Sequence, residues 1–255
     1  MNKIAFVTGS TAGIGRATAT MLARNGYNII ITGRRKERLE QLKEQLEKEY
    51  SVEVLPLSFD IRKREEVDAA WNSLADEWKI IDVLINNAGL AAGLDYIYEG
   101  NIEDWETMID TNIKGLLYIS RLIMPGMKER RRGHIVNLSS IAGKEVYQRG
   151  NIYCATKHAV EAITKGMRID LLPYNVKVSS VSPGMVETEF SLVRFKGDEQ
   201  KAKDVYKGLT PLFAEDIAQI IEFIITRPPH VNINDVLVMP TAQANSYYVH
   251  RETEN

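Results

Sequence analysis

A phenol and an ammonium stand four residues apart in NIYCATKHAV (151–160), at Tyr153 and Lys157. The stretch holds no proline and has a helical pattern, so positions i and i+4 bring both side chains to one face. A cation beside a phenol favours the phenolate and lowers the tyrosine pKa from roughly 10. That makes a proton donor or acceptor usable near neutral pH. Alone, the pair also suits an amphipathic helix with a tyrosine at its edge and a solvated lysine, so the rest of the chain has to decide.

A second stretch with chemical content is VTGSTAGIG (7–15). Gly9, Gly13 and Gly15 sit where a strand-like run turns into a helical pattern. Glycines there permit a tight turn and close approach of the backbone to a pyrophosphate. The following helix N-terminus offers free N–H groups and partial positive charge to phosphates. No Gly-Lys-Ser/Thr follows, which argues against a nucleotide triphosphatase loop. The next strand-like run ends IIITGRRKER (29–38). In a dinucleotide-binding fold an acidic residue here would bind the ribose 2′-hydroxyl, whereas an arginine accommodates a 2′-phosphate. Gly33, Arg34 and Arg35 stand here with no acid before Glu37, which points to NADP rather than NAD. Asp60, ending SFD (58–60), is placed to reach the adenine edge.

These residues need elements to hold them. Short apolar runs near 3–8, 28–32, 52–57, 81–85, 134–138, 176–181 and 235–239 read as strands. Helical patterns lie near 13–25, 35–49, 64–78, 103–130, 152–172 and 215–226. Nearly unbroken apolar strands predict a sheet covered on both faces, and the alternation predicts parallel βαβ units in a doubly wound α/β fold. The region 184–212 is less regular and reads as an inserted lobe or lid. The chain has 255 residues, 44% of them hydrophobic, which suits one domain spanning 1–255. A net charge of −2 provides no global field for nucleic acid. The charge runs 34–50 and 128–133 read as a solvated helix face and a helix C-terminus. The lone cysteine, Cys154, excludes an intrachain disulfide. No apolar run approaches a membrane span of ~20 residues. A first strand from about Lys3 leaves no room for a leader peptide, so a cytoplasmic protein is expected.

TGSTAGIG (8–15), Asp60, NNAG (86–89), Asn112 in DTNIKG, NLSS (137–140), YCATK (153–157) and SPGMVET (182–188) occur in order. With these motifs the chain resembles the short-chain dehydrogenase/reductase family over almost its whole length. The resemblance implies a Rossmann-type doubly wound sheet of about seven parallel strands with helices on both faces. It implies Tyr153 as catalytic acid/base, and Lys157 as the residue that lowers its pKa and holds the nicotinamide ribose. Ser140 would orient the substrate oxygen, ahead of Ser139, and Asn112 would anchor a water relay to Lys157. NADP would be bound by Gly9, Ser10, Thr11, Ala12, Gly13, Ile14, Gly15, Arg34, Arg35, Asp60, Ile61, Asn87, Ala88 and Gly89. Tyr153, Lys157, Pro183, Gly184, Val186 and Thr188 would complete the cofactor site. No metal is implied.

Closer motifs (GRRKERLEQL, EDWETMIDTNIKGLLY, SLVRFKGD, PPHVNIND) resemble the NADP-dependent 3-hydroxy acid dehydrogenases, which act on serine, allo-threonine and small 3-hydroxy acids. Two departures stand out. Ala12 occupies a place where many NADP-using relatives carry a basic residue. Gln148 and Arg149 precede Tyr153 without matching the group's pattern. Arg194 and Lys196 are the candidates for the anionic end of the substrate, with Arg149 as a rival. A reductase of sulfoacetaldehyde or of a larger ketone is the alternative enzyme. A silent dinucleotide sensor is disfavoured by the complete Ser140, Tyr153, Lys157 set. The family implies a homotetramer pairing through helices 103–130 and 152–172. The tail QANSYYVHRETEN is read as either crossing to a neighbouring subunit or frayed.

Overall fold

A computed structural model describes residues 2–252. Seven strands form one sheet: β1 (Ile4–Val7), β2 (Asn28–Gly33), β3 (Val54–Ser58), β4 (Ile81–Asn86), β5 (Gly133–Leu138), β6 (Val176–Pro183) and β7 (Asp235–Val238). Their order is β3-β2-β1-β4-β5-β6-β7, and every pairing is parallel. The strands are apolar at successive positions because neighbouring residues feed opposite layers. Ala5, Val7, Ile29 and Ile31 pack into one core with Leu22 of α1 (Gly13–Arg24), Leu39 of α2 (Lys36–Glu49) and Ile221 of a later helix, Ala214–Ile225. Phe6, Ile30, Leu84 and Ile135 enter the other core. There they meet Val67 of α3 (Arg64–Asn72), Ile119 of α5 (Leu116–Arg130) and Val160 of α6 (Asn151–Leu171). Parallel strands buried on both faces are the physical reason the sequence lacks in–out alternation.

The strand order reverses between β1 and β4, opening a crevice at the carboxyl ends of the strands where α/β sheets bind ligands. Two helical expectations need correction. The run 103–130 is not one helix: α4 (Ile102–Ile109) passes through a wide π turn, Asp110–Gly115, into α5. The run 64–78 ends as α3 at Asn72, followed by a 3₁₀ turn at Asp76–Lys79. The irregular region after β6 holds two short helices, α7 (Glu189–Arg194) and α8 (Glu199–Asp204), before α9 (Ala214–Ile225). Among the described residues, no helix is long and apolar enough to cross a membrane.

Candidate active site

The crevice is a cavity of about 700 Å³ at the ends of β1, β4, β5 and β6. Its floor begins with the glycine loop. The Thr8 hydroxyl accepts from the N–H groups of Asn87 and Ala88, both at 2.9 Å. The Asn87 amide donates back to the Thr8 carbonyl at 2.8 Å. These bonds lock the first βα turn to the end of β4. Gly9 has a φ of +70°, where a side chain would be strained. A Cβ at Gly15 would overlap the Gly9 carbonyl oxygen. Gly9, Thr11, Ala12, Gly13 and Ile14 line the cavity. Ser10 is buried and donates to the Val7 carbonyl at 2.9 Å, so it braces the turn.

At the adenine end, Arg34, Arg35, Asp60 and Ile61 line the same cavity. Arg35 donates to Thr11 Oγ1 and pairs with Glu189 at 2.8 Å, and Arg38 pairs with the other Glu189 oxygen at 2.7 Å. Asp60 is held by Arg62 at 2.6 Å, and that guanidinium keeps its carboxyl below the ordinary carboxylate range. The acidic group nearest the expected adenine edge is thus engaged by its own neighbour. A glycine cradle without side chains and a cluster of cations at its open end fit a dinucleotide carrying an additional ribose phosphate.

At the reacting end, α6 starts at Asn151 and presents Tyr153 in its first turn and Lys157 in its second. Both are buried and both line the cavity. Ser140 caps a short 3₁₀ turn, its hydroxyl accepting from the Ala142 N–H at 3.1 Å. It faces the phenol closely enough to favour the phenolate. Lys157 Nζ donates to the Leu138 carbonyl at 2.9 Å and lies 5.9 Å from the Tyr153 ring centre. Burial holds this ammonium down to about 8, against a raising effect of Glu161.

The expected lowering of the Tyr153 pKa does not emerge from this geometry. Burial raises the phenol above its ordinary value, and nearby Tyr147 adds to it. The Ser140 hydroxyl and the Arg194 cation oppose the rise without cancelling it. The Phe190 ring stands 5.6 Å away and helps keep water out.

Asn112 sits in the π turn, a widened turn frequent at functional sites. Its amide donates to the Leu90 carbonyl at 2.8 Å and to Thr156 Oγ1 at 3.0 Å. Its oxygen accepts from the Leu90 N–H at 2.9 Å. Asn112 therefore ties the segment after NNAG to α6 rather than touching Lys157. Gly89 lies between the two: a Cβ there would be 3.2 Å from Asn112 Oδ1 and 3.4 Å from Lys157 Nζ.

Of the three cations proposed for a substrate anion, Arg194 alone reaches the cavity. Its guanidinium donates to Tyr147 Oη at 3.0 Å and to the Gly93 carbonyl at 3.3 Å, and lies 5.7 Å from the Tyr153 ring centre. Lys196 pairs with Asp104 at 2.9 Å and does not line the cavity. Arg149 stacks on the Tyr96 ring at 4.4 Å, also outside the main cavity. Gln148 does line it, as do Pro183, Gly184, Val186 and Thr188.

The tail is ordered over the described residues. Through Glu252 it packs along this chain, where Arg251 donates to the Val205 carbonyl at 2.9 Å and Ser246 N–H to Glu145 at 2.8 Å. Gln243 accepts from the Met185 N–H at 2.8 Å and, with Ser246, Val249 and Arg251, joins the cavity lining. Glu189, Arg38, Tyr147 and the place of this tail in the cavity lining escaped the sequence reading. Tyr147 had a local signal, an aromatic between Ser140 and Tyr153. Glu189 had none, since it meets Arg35 across 154 positions.

Comparison with known proteins agrees with this geometry. Residues 3–198 match the family model of short chain dehydrogenases. An NADP-dependent 3-hydroxy acid dehydrogenase from Salmonella typhi is 48% identical over 242 residues, covering 94% of this chain and 96% of that protein. A protein of that description from Schizosaccharomyces pombe is 42% identical over 251 residues, covering 98% and 97%. The closed form of a serine dehydrogenase complexed with NADP+ superposes with a TM-score of 0.90 at 44% identity, covering 98% of this chain and 100% of that one. A glycine loop locked to β4, a tyrosine and lysine one turn apart over the strand ends, and these matches along nearly the whole chain lead to one conclusion: the chain belongs to the short-chain dehydrogenase family.

Proposed function

We propose that the protein is an NADP-dependent oxidoreductase that interconverts a small 3-hydroxy acid and its carbonyl form, with serine, allo-threonine and 3-hydroxypropionate as the substrate type. NADP is supported by the names of the relatives and by this chain's own cations. Arg34 faces the cavity beside Arg35, and Asp60 is engaged by Arg62. Bound NADP(H) supplies the hydride chemistry, and the protein supplies orientation and electrostatics. Tyr153 gives a proton to the reacting oxygen during carbonyl reduction and takes it back during oxidation. A buried phenol above its ordinary pKa holds its proton at neutral pH, and the Ser140 hydroxyl and the Arg194 cation are the groups that ease its release. Ser140 hydrogen-bonds the same oxygen. Lys157 holds the ribose and lends positive charge to the phenolate. Asn112 fixes the turn that carries both, and the relay between Asn112 and Lys157 is part of this reading.

Arg194 carries the substrate assignment. It stands over the Tyr153 ring with two of its five donors accounted for by Tyr147 and Gly93. A guanidinium meets a carboxylate with two parallel hydrogen bonds. A small hydroxy acid has little apolar surface, so charge must supply much of its binding. A sulfonated aldehyde such as sulfoacetaldehyde presents a similar anionic end and belongs in the substrate panel.

The test is NADP(H) turnover over serine, allo-threonine, 3-hydroxypropionate, 3-hydroxyisobutyrate, sulfoacetaldehyde and uncharged short aldehydes, with wild type and Arg194→Ala. Losing a desolvated charge partner costs roughly 2–5 kcal/mol, so kcat/KM for the acids should fall about thirtyfold or more. Neutral substrates should be spared. A uniform loss, or none, would reject the anion site. Exposed Leu117, Ile169 and Leu172, on or beside α5 and α6, support a homotetramer paired through these helices. A single-subunit mass by light scattering at micromolar concentration would reject it.

A further inference from the structure

One turn beyond Lys157 on α6 lies a buried carboxylate that the mechanism above does not use. Glu161 shares the face of Lys157, four residues on. It accepts from the Ser182 hydroxyl on β6 at 2.9 Å and pairs with Lys144 at 2.8 Å. Lys144 arrives there because Gly143 lies against α6: a Cβ at Gly143 would be 2.8 Å from the Lys157 carbonyl oxygen and 3.1 Å from Glu161 Cγ. Lys144 also pairs with Asp235, at the start of β7, at 2.7 Å. The Ser180 hydroxyl closes the ring, 2.7 Å from Asp235 and 3.3 Å from Glu161.

The ring holds two carboxylates and one ammonium, hence one net negative charge. Arg168, further along α6, adds a weaker cationic influence on Asp235 and Glu161 while donating to the Val178 and Asn234 carbonyls. Lys157 stands one turn before Glu161 on α6, with its ammonium near the Tyr153 ring and Gly89. Its ammonium has the Leu138 carbonyl as partner and, among the described residues, no paired carboxylate. A buried ammonium tends to lose its proton unless a nearby negative charge opposes the loss.

We propose that Glu161 is a positioning residue that keeps Lys157 in its ammonium form, with Lys144 setting how much of the Glu161 field Lys157 feels. Burial already holds Lys157 down to about 8, and Glu161 is the charge pushing it back up. The two partners therefore act with opposite signs. Glu161→Gln removes the supporting charge, so Lys157 loses its proton at lower pH. Lys144→Met leaves Glu161 less compensated, so Lys157 keeps its proton to higher pH. A residue that only packs would not give opposite shifts.

The inference rests on Lys157 acting in the reaction, and two readouts keep the failures apart. The first is an NMR titration of ¹³Cε-lysine-labelled, cofactor-free protein, with the Lys157 signal assigned by Lys157→Met. We expect the Lys157 midpoint to fall by about half a pH unit or more in Glu161→Gln and to rise in Lys144→Met. Unchanged midpoints, or shifts of the same sign, would overturn the proposal. If Glu161→Gln does not fold, Lys144→Met decides by the sign of its shift.

The second readout is the alkaline limb of kcat/KM against pH. Activity that needs the ammonium is present below the Lys157 pKa and lost above it. The limb should therefore move down in Glu161→Gln and up in Lys144→Met. Midpoints that move as expected while the limb stays put would uphold the electrostatic link. They would overturn the catalytic reading of Lys157 instead.

Discussion

Toward the adenine end of the cavity, the floor at the glycine loop is built from main chain. Gly9 and Gly15 bring the backbone close, and Thr8 and Asn87 bolt the turn to β4 with bonds of 2.8–2.9 Å. At the reacting end, the wall is built from long side chains reaching across the fold. Arg194 meets Tyr147 over 47 positions of sequence and Gly93 over 101. The first construction tolerates few residue types, because glycine is needed wherever a Cβ would strike backbone. The second tolerates many, because the position of a guanidinium depends on whichever partners neutralise and orient it. The two ends should therefore fail differently when cut.

The sharpest cut is Tyr153→Phe at the reacting end. General acid–base catalysis contributes roughly 10²–10⁴-fold, so turnover should drop by that order while NADPH binding, read by nucleotide fluorescence, stays near wild type. Retention of more than about a tenth of kcat would remove Tyr153 from its role. Gly15→Ala is the matching cut at the adenine end. Its Cβ would overlap the Gly9 oxygen, and overpacking of this kind costs about 1–3 kcal/mol. NADPH and NADH binding should weaken together by about five- to a hundredfold. Weakening of NADPH alone would contradict a backbone cradle shared by both cofactors.

This contrast also explains what could be read from sequence. The strands are legible within a few residues, because a doubly covered sheet demands unbroken apolar runs such as Ile29–Ile31. The glycine loop is legible because its constraint is local. The break between α4 and α5 was hidden, because the apolar spacing carries on through Asp110–Gly115 while the backbone widens. Lys196 looked like an anion site until the fold brought Asp104 to it. The spacing of Tyr153 and Lys157 gave a shared face. It did not show that the Lys157 ammonium reaches for the Leu138 carbonyl, or that burial dominates the phenol. Spacing along a chain reports which side chains share a face. Solvation and distant partners decide what those side chains do.

Arg34→Ala tests one of the side chains at the adenine end. A charge-assisted hydrogen bond contributes on the order of 1.5–3 kcal/mol. NADP(H) affinity should fall about tenfold or more, with NADH nearly unchanged. Equal losses for both would move 2′-phosphate recognition away from Arg34.

The smallest expected effect is at Glu189, where the two constructions meet. It is the first residue of α7, and it takes one hydrogen bond from Arg35 and one from Arg38. A carboxylate on those arginines competes with a phosphate for them and repels its charge. Its side chain is 41% exposed, so solvent screens the pairs, and exposed ion pairs are worth about 0–1 kcal/mol. Glu189→Gln should therefore tighten NADPH binding by no more than about fivefold at low ionic strength and leave NADH alone. The gain should fade in ~1 M salt, where the screening length drops to about 3 Å. Weaker NADPH binding in this variant would give Glu189 the opposite part: it would be the residue that aligns the arginines. The adenine end would then depend on a partner across the fold, as the reacting end does.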